Sequence, residues 1–393
     1  MDTPAFNFFS PQRLVFGPGK MNLLPELTGA FGKNILLVTG KSSFLTTPAW
    51  DGLEKAYRQN RVRVHQAAIP GEPSPEDVDT AVDRYRDSGI DAVVAVGGGS
   101  ALDAGKAISA MLAQSGPVTA FLEGVGDRRP GGEKLPFIAV PTTSGTGSEA
   151  TKNAVISRPG AKGFKKSLRH DNFIPDIALV DPELTLTCPP GITAACGMDA
   201  LTQLLEAYVS TQASPVTDAL CTSAIKGFSR ALFTAAEEDP KDINARTRLS
   251  YGAYISGLAL ANAGLGAVHG FASVIGGISP MSHGNVCGTL LAQTTKAIID
   301  ELNRTAPGHP ALEEYANAAV LLGLSDNTRP VSTACNRLLD NLFEWTEKLN
   351  MPGLGQSGIR QDQLASVAAA TGLKNTPVKL GKKALAEILR NRL

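Results

Sequence analysis

The hydrophobic pattern of this 393-residue chain changes character once, and that change constrains the fold more than any other feature. In the first half, short apolar runs such as 34–40, 91–96 and 136–140 alternate with segments of helical periodicity. In the second half, apolar residues recur at helical spacing and no run has strand character. Strands that alternate with helices indicate a mainly parallel sheet. The sequence therefore predicts an α/β domain over 1–187 and an all-helical domain over 188–393.

Composition excludes several classes of partner and location. Lys and Arg number 37, as do Asp and Glu, so no overall charge attracts nucleic acid or an anionic membrane. The first residues do not have the pattern of a signal peptide, and no run of about 18 apolar residues could span a bilayer. The five cysteines are scattered without a C-x-x-C pair, which indicates no disulfide framework. We expect a cytoplasmic enzyme.

A glycine-rich turn joins the apolar run 91–96 to a helix. The run Gly97-Gly98-Gly99-Ser100 would place backbone N–H groups and a helix N-terminus against a pyrophosphate. Ser100 is predicted as the N-cap, with Asp103 three residues later. Lys106 could balance charge there or be a surface lysine. The turn lacks the G-x-G-x-x-G fingerprint, so a tight strand-to-helix turn without a ligand is the alternative.

A second polar loop follows the run 136–140. It offers two glycines and five hydroxyl side chains, which belong to Thr142, Thr143, Ser144, Thr146 and Ser148. Both loops follow the ends of predicted strands, where open α/β sheets bind ligands, and the pair of loops favours a dinucleotide. The alternative is a polar loop with only local hydrogen bonds.

The residues after the run 34–40 bear on the choice of cofactor. An acidic side chain there would bind the ribose hydroxyls of NAD and repel a 2′-phosphate. This chain has Gly40, Lys41 and Ser42, which suit NADP at least as well as NAD. A left-handed turn glycine at position 40 is the alternative.

Three distant segments could build a metal site. Asp199 and Gln203 are four residues apart on a predicted helix and so project side by side. His269 and His283 are each flanked by small residues. Asp199 with the two histidines would give one oxygen and two nitrogen ligands with an open position, which suits catalytic Zn²⁺ or Fe²⁺. Gln203 is a poor, neutral ligand, and buried core histidines are the alternative.

Taken together, these motifs resemble the iron-containing (group III) alcohol dehydrogenase family, which includes lactaldehyde reductases, 1,3-propanediol dehydrogenases and butanol dehydrogenases. The matching segments are Phe16-Gly17, Gly97 to Ser100, Pro141 to Glu149, Gly197-Met198-Asp199-Ala200, Val268-His269-Gly270, His283-Gly284 and Asn375-Thr376-Pro377. The resemblance implies a dehydroquinate synthase-like architecture: an N-terminal dinucleotide-binding α/β domain, an all-helical C-terminal domain, and a cleft that holds cofactor, metal and substrate. It also implies a homodimer or larger homo-oligomer.

The resemblance carries metal ligands over to Asp199, Gln203, His269 and His283. The family normally has His where this chain has Gln203, and commonly a further His where it has Ser273. The similar glycerol dehydrogenases use an Asp and two His, usually with zinc, and maleylacetate reductases work without metal. We therefore expect a weakly bound Fe²⁺ or Zn²⁺, or none.

The resemblance also carries over the cofactor contacts and the catalytic group. The cofactor residues are Gly97, Gly98, Gly99, Ser100, Asp103, Thr142, Thr143, Thr146, Ser148 and Lys165, with Gly40, Lys41 and Ser42 at the position that selects NAD. The catalytic residues are Asp199, His269, His283 and Asp103.

The predicted reaction is hydride transfer between NAD(P) and a small alcohol or aldehyde, with the metal as Lewis acid. One alternative is a metal-independent reductase in which Gln203 hydrogen-bonds the substrate. The others are a cofactor-binding protein with degraded catalysis and a lyase on the related scaffold. No nucleic-acid or membrane partner is expected.

Overall fold

The computed structural model describes residues 5–160 and 163–393. These divide into two compact units. One comprises Phe9–Arg158 and Lys165–Cys188. The other comprises Pro189–Leu393 together with short segments from the first half of the chain. The units are called the α/β unit and the helical unit below.

The α/β unit is built on a six-stranded sheet whose strand pairs are all parallel. The strands of the unit are β1 (Arg13–Phe16), β2 (Asn34–Gly40), β3 (Arg63–Ile69), β4 (Ala92–Gly97), β5 (Phe137–Pro141), β6 (Asn153–Arg158), β7 (Phe164–Arg169) and β8 (Ile177–Val180). The strand order in the six-stranded sheet is β1-β8-β5-β4-β2-β3. A separate two-stranded sheet contains β6 and β7.

The central strands are apolar because both faces of the sheet are covered. Every residue of β4 and β5 is buried. Gly97 pairs with Pro141 and Thr39 with Val96, so β2, β4 and β5 end at the same edge of the sheet. The loops that follow these three strands therefore start side by side.

Four helices follow strands of this unit, namely α1 (Leu24–Gly29), α2 (Pro48–Gln59), α3 (Pro75–Tyr85) and α4 (Gly99–Met111). The sequence marks the start of α3 clearly: Ser74 and Asp77 form a capping box, and Pro75 is in the first turn. The predicted cap of α4 is wrong. Its N-cap is Gly98, and Ser100 lies inside the helix.

The helical unit contains ten α-helices among its described residues. They are α5 (Pro190–Tyr208), α6 (Pro215–Ile225), α7 (Phe228–Phe233), α8 (Ile243–Ala263), α9 (Ala267–Ile278), α10 (His283–Thr305), α11 (Pro310–Leu321), α12 (Val331–Lys348), α13 (Leu364–Ala370) and α14 (Lys382–Arg390). Within the described part of 189–393 no strand occurs, which confirms the predicted fold class.

Two features of the helical unit escape the sequence pattern. The apolar spacing of residues 215–236 predicts one helix, but Gly227 adopts a left-handed conformation with φ 71° and separates α6 from α7. The pattern also gives no sign of α9, which is rich in glycine. A Cβ atom on Gly270 would lie 2.0 Å from the Gly372 carbonyl oxygen, so that glycine serves close packing.

No single helix in the described ranges has both the length and the apolar character needed to cross a bilayer. One pair, α8 with α9, meets the length and composition criteria jointly but is bent by 97°.

Candidate metal centre and cofactor-binding edge

Four side chains of the helical unit direct potential ligand atoms toward one point. Asp199, His269, His283 and Cys287 each offer one such atom, and these atoms all lie within 4.8 Å of one another. Asp199 Oδ1 is 3.3 Å from His269 Nε2 and 3.7 Å from His283 Nε2. Cys287 Sγ is 3.6 Å from His269 Nε2 and 3.7 Å from His283 Nε2. We call these four residues the metal centre.

Three helices position the metal centre. Asp199 is in the middle of α5, His269 is in the first turn of α9, and His283 begins α10. Cys287 lies one turn after His283, on the same face of α10. Asp199 is 1% exposed, whereas the His283 side chain is 27% exposed, so the centre is accessible from the His283 side.

Glu206 fixes the orientation of His269 from behind. Its Oε2 atom is 2.7 Å from His269 Nδ1, and its Oε1 atom accepts a hydrogen bond from the Val268 backbone N–H at 2.6 Å. A carboxylate on one ring nitrogen directs the other, Nε2, toward the metal centre. Glu206 is seven residues after Asp199 on α5, so both carboxylates face α9 from one side of the helix.

The charges of the metal centre are strongly coupled. Burial alone raises the pKa of Asp199, but His283 and His269 outweigh it and lower that pKa to about 2. Burial alone lowers the pKa of His269, but Cys287, Asp199 and Glu206 together hold it well above its ordinary value. Burial raises the pKa of the Cys287 thiol to about 12. The carboxylates thus create a buried negative field that suits a cation.

The donor set fits a divalent transition metal ion. Asp199 Oδ1 is buried and, among the described residues, accepts no hydrogen bond of good geometry. One carboxylate oxygen, two imidazole nitrogens and a thiol sulfur are ligands that zinc and neighbouring ions accept. The structure thus brings together Asp199, His269 and His283, as the sequence analysis predicts.

Gln203 is buried next to these residues, but its carboxamide oxygen has another neighbour. Gln203 Oε1 accepts a hydrogen bond from Ser256 Oγ at 3.2 Å. Its role as a ligand stays a prediction. Ser273, at the position of the family's further histidine, donates a hydrogen bond to the His269 carbonyl oxygen at 2.8 Å.

Two residues of this region do not stand out in the sequence pattern. Cys287 is one of five scattered cysteines, although its spacing of four from His283 on a helix places both on one face. Glu206 had the same kind of signal, at spacing seven from Asp199.

In the α/β unit, the loops after β4 and β5 pack directly against each other. The Thr142 N–H donates to the Gly97 carbonyl oxygen at 2.9 Å. A Cβ atom on Gly98 would lie 3.4 Å from Thr143 Oγ1, and one on Gly99 only 2.7 Å from Thr146 Oγ1. Close packing therefore requires Gly99, and the two glycines leave the N-cap and the first residue of α4 without side chains. Such an end is suited to a phosphate.

A buried charged group lies behind this edge. Lys106 is 0% exposed, and its Nζ lies within hydrogen-bond distance of four oxygen atoms: Ser148 O (2.8 Å), Ser148 Oγ (3.1 Å), Thr151 Oγ1 (2.9 Å) and Asn153 O (2.9 Å). Burial lowers its pKa to about 8. The interpretation of Lys106 as a surface lysine is therefore wrong.

Asp103 joins the same network. Its Oδ1 atom accepts from Ser148 Oγ at 2.5 Å, and its Oδ2 atom accepts from the Val155 N–H at 3.1 Å. Burial raises the pKa of Asp103, against the opposing effect of Lys106. The hydroxyl of Ser148 is thus engaged within the protein. Asp103 and Ser148 as cofactor contacts, and Asp103 as a catalytic residue, stay predictions.

The remaining predicted cofactor residues lie at or near this edge. Gly40 ends β2, and a Cβ atom on Gly97 would lie 3.5 Å from the Gly40 nitrogen. Gly40 does not have a positive φ, so its interpretation as a left-handed turn glycine is wrong. Lys41 and Ser42 are exposed. Lys165 Nζ pairs with Glu72 Oε1 at 2.5 Å, and its contact with a nicotinamide ribose stays a prediction.

Comparisons with known proteins cover both units. A family model described as iron-containing alcohol dehydrogenase matches residues 11–182, and the C-terminal model of the same family matches residues 193–393. Long-chain-alcohol dehydrogenase 1 of Geobacillus thermodenitrificans is 37% identical over 78% of this chain and 80% of its own length. NAD-dependent methanol dehydrogenase of Bacillus methanolicus is 32% identical over 92% of both chains. The crystal structure of a 1,3-propanediol oxidoreductase aligns with a TM-score of 0.86 and 28% identity, over 99% of this chain and 100% of that one.

Proposed function

The chain belongs to the iron-containing alcohol dehydrogenase family, and from that premise we propose that it transfers a hydride between NAD(P) and a small alcohol or aldehyde. Alcohol oxidoreduction is the activity of the family. The coenzyme, the metal and the substrate range are proposals for this chain. The observation that carries them is the convergence of Asp199 Oδ1 with His269 Nε2 and His283 Nε2.

Asp199, His269 and His283 would hold the divalent ion. When bound, such an ion supplies Lewis acidity toward a carbonyl or alcohol oxygen. Asp199 contributes a negative charge, and its low pKa keeps that charge throughout the neutral range. Glu206 maintains the ring orientation of His269, which keeps Nε2 directed toward the other ligand atoms. The partial exposure of His283 leaves an approach for a small substrate.

The glycines after β4 and the threonines after β5 would bind the coenzyme. The nicotinamide supplies or accepts the hydride, and the protein determines its orientation. Gly98 and Gly99 keep side chains away from the first turn of α4, where backbone N–H groups can donate to a pyrophosphate. The partly exposed hydroxyls of Thr142, Thr143 and Thr146 are further donors.

NADP is expected to serve as well as NAD. No acidic side chain occupies the end of β2, because the residue there is Gly40, followed by the exposed Lys41. An acid at this point would repel the 2′-phosphate, and its absence removes that discrimination. The Bacillus relative is named for NAD, so a clear preference for NADP would separate this chain from it.

The direct test is turnover of a panel of aldehydes and alcohols with NAD(H) and NADP(H). The purified protein is assayed as isolated, after dialysis against a chelator, and after readdition of Zn²⁺ or Fe²⁺. We expect activity to disappear with the chelator and to return with metal. Full activity in protein shown by elemental analysis to be metal-free would instead support the metal-independent reductase.

A coenzyme-site variant separates binding from chemistry. In Gly99→Ala the new Cβ atom would clash with Thr146, so NAD(P)H binding, followed by fluorescence, should weaken about tenfold or more while metal content is unchanged. Nicotinamide binding in the wild-type protein without turnover of any substrate would favour degraded catalysis. The homo-oligomeric state and the cytoplasmic location stay predictions.

A further inference from the structure

We propose that Cys287 is a fourth protein ligand of the metal centre, so that this chain holds its ion with one carboxylate, two imidazoles and one thiolate. This proposal depends on the proposed function only because both require a bound ion. It adds the identity of one ligand and the ion that the site prefers.

The separations among the ligand atoms carry the proposal. A tetrahedral zinc ion with bonds of about 2.0–2.1 Å to O and N and about 2.3 Å to S has O–N edges of about 3.3 Å and N–S edges of about 3.6 Å. The Asp199 to His269 edge is 3.3 Å, and the edges from Cys287 Sγ to the two Nε2 atoms are 3.6 and 3.7 Å. The Asp199 to His283 edge is also 3.7 Å. The sulfur thus lies at a vertex of the set.

Position on the helix gives the second argument. His283 and Cys287 are one turn apart on α10, a spacing that presents both side chains to the same neighbours. Gln203, the alternative fourth ligand, directs its carboxamide oxygen to within 3.2 Å of Ser256 Oγ. The Cys287 sulfur lies 3.6 and 3.7 Å from the two imidazole nitrogens, which is the separation expected between two ligands of one ion.

The surroundings of Cys287 differ from those of the other fully buried cysteines. Cys335 donates its S–H to the Leu312 carbonyl oxygen at 3.4 Å. Cys221 is buried on α6 and is no part of the metal centre. A buried thiol in apolar surroundings is chemically inert, whereas a thiol beside a bound ion loses its proton to solvent as the metal–sulfur bond forms.

A thiolate changes which ion is favoured. Sulfur ligands select Zn²⁺, and Co²⁺ as its spectroscopic substitute, over harder ions that prefer oxygen and nitrogen. We therefore expect the wild-type chain to prefer Zn²⁺ over Fe²⁺ and Mn²⁺ by a larger margin than Cys287→Ser does.

To test the proposal, Co²⁺ is added to the chelator-treated protein and the absorption spectrum is recorded. A thiolate–cobalt charge-transfer band in the near ultraviolet is expected in the wild-type protein and in the control Cys335→Ser. It should be absent from Cys287→Ser, whose Zn²⁺ affinity, measured by competition with a chromophoric chelator, should fall at least about tenfold.

A second measurement uses the wild-type protein, so its result does not depend on whether the Cys287→Ser variant folds. Zinc K-edge absorption of the Zn²⁺-loaded wild-type chain should show one sulfur neighbour at about 2.3 Å. Stoichiometric Co²⁺ binding without the charge-transfer band, or a zinc shell of nitrogen and oxygen alone, would overturn the proposal and leave the proposed function intact. Failure of the wild-type chain to bind either ion would overturn both this proposal and the metal-dependent form of the proposed function.

Discussion

Each unit buries a charged side chain at its proposed ligand site, and the surroundings of the two side chains are opposite in character. In the α/β unit, Lys106 Nζ lies within hydrogen-bond distance of four oxygen atoms. In the helical unit, Asp199 Oδ1 is buried beside two imidazoles and a thiol without a well-formed hydrogen bond among the described residues. A buried charge with a complete set of hydrogen bonds stabilises the residues around it, whereas a buried charge with an incomplete set is suited to bind a ligand.

The comparison predicts that Lys106 is primarily structural. Lys106→Met leaves carbonyl and hydroxyl oxygens without their donor, and the free energy of unfolding should fall by about 3–5 kcal/mol. Urea denaturation followed by circular dichroism measures the change. The matched control, Lys55→Met on the exposed face of α2, should change stability by no more than about 0.5 kcal/mol. If the free energy of unfolding falls by less than about 1 kcal/mol in Lys106→Met, Lys106 is not primarily structural and does not differ from Asp199 in this respect.

Asp199 should show the reverse pattern. Asp199→Asn removes the carboxylate charge from the metal centre, and Zn²⁺ affinity should fall more than about 100-fold, or about 3 kcal/mol. Stability of the metal-free protein should fall by less than it does in Lys106→Met, because the neutral amide removes the cost of burying the carboxylate together with its attraction to the imidazoles.

Chelator competition and urea denaturation on the same preparations measure both quantities. If Asp199→Asn unfolds as easily as Lys106→Met without any loss of affinity, the carboxylate is structural and the comparison fails.

The loops at the edge of the sheet and the metal centre also differ in how far the sequence predicts them. The edge of the sheet is built from short contiguous segments, because Gly97 to Ser100 and Thr142 to Ser148 each follow a strand. Strand runs and turn residues are local signals, so the fold class and the position of these loops follow from the sequence. The metal centre needs three helices to pack together, and the sequence predicts Asp199, His269 and His283 but not Cys287 beside them.

What the sequence does not predict has a physical cause in each case. The helix that carries His269 is glycine-rich because Gly270 packs against a carbonyl oxygen, and the glycines hide its helical propensity. Cys287 becomes relevant only when α9 approaches α10. Lys106 is found to be buried only when the segment after β5 folds over α4, since a lysine in a helix is usually exposed.

Glu206 tests how far the metal centre depends on residues behind the ligands. In Glu206→Gln the charge that orients His269 is lost, and Zn²⁺ affinity should fall about 10- to 100-fold. The control, Glu313→Gln on the exposed side of α11, should leave affinity unchanged. An unchanged affinity in Glu206→Gln would mean that helix packing alone positions the imidazole.

The smallest expected effect concerns Glu149, a buried neighbour of Lys106. Burial raises the pKa of Glu149 from 4.5 to about 7, against the opposing charge of Lys106. Between these two pH values the folded protein binds more protons than the unfolded chain, so the free energy of unfolding falls as the pH rises from 4.5 to about 7. We expect a loss of about 1–2 kcal/mol between pH 4.5 and about pH 6 in the wild-type protein relative to Glu149→Gln, measured by urea denaturation at each pH. Parallel profiles would show that Glu149 stays ionised beside Lys106, and the α/β unit would then contain an ion pair rather than a single satisfied cation.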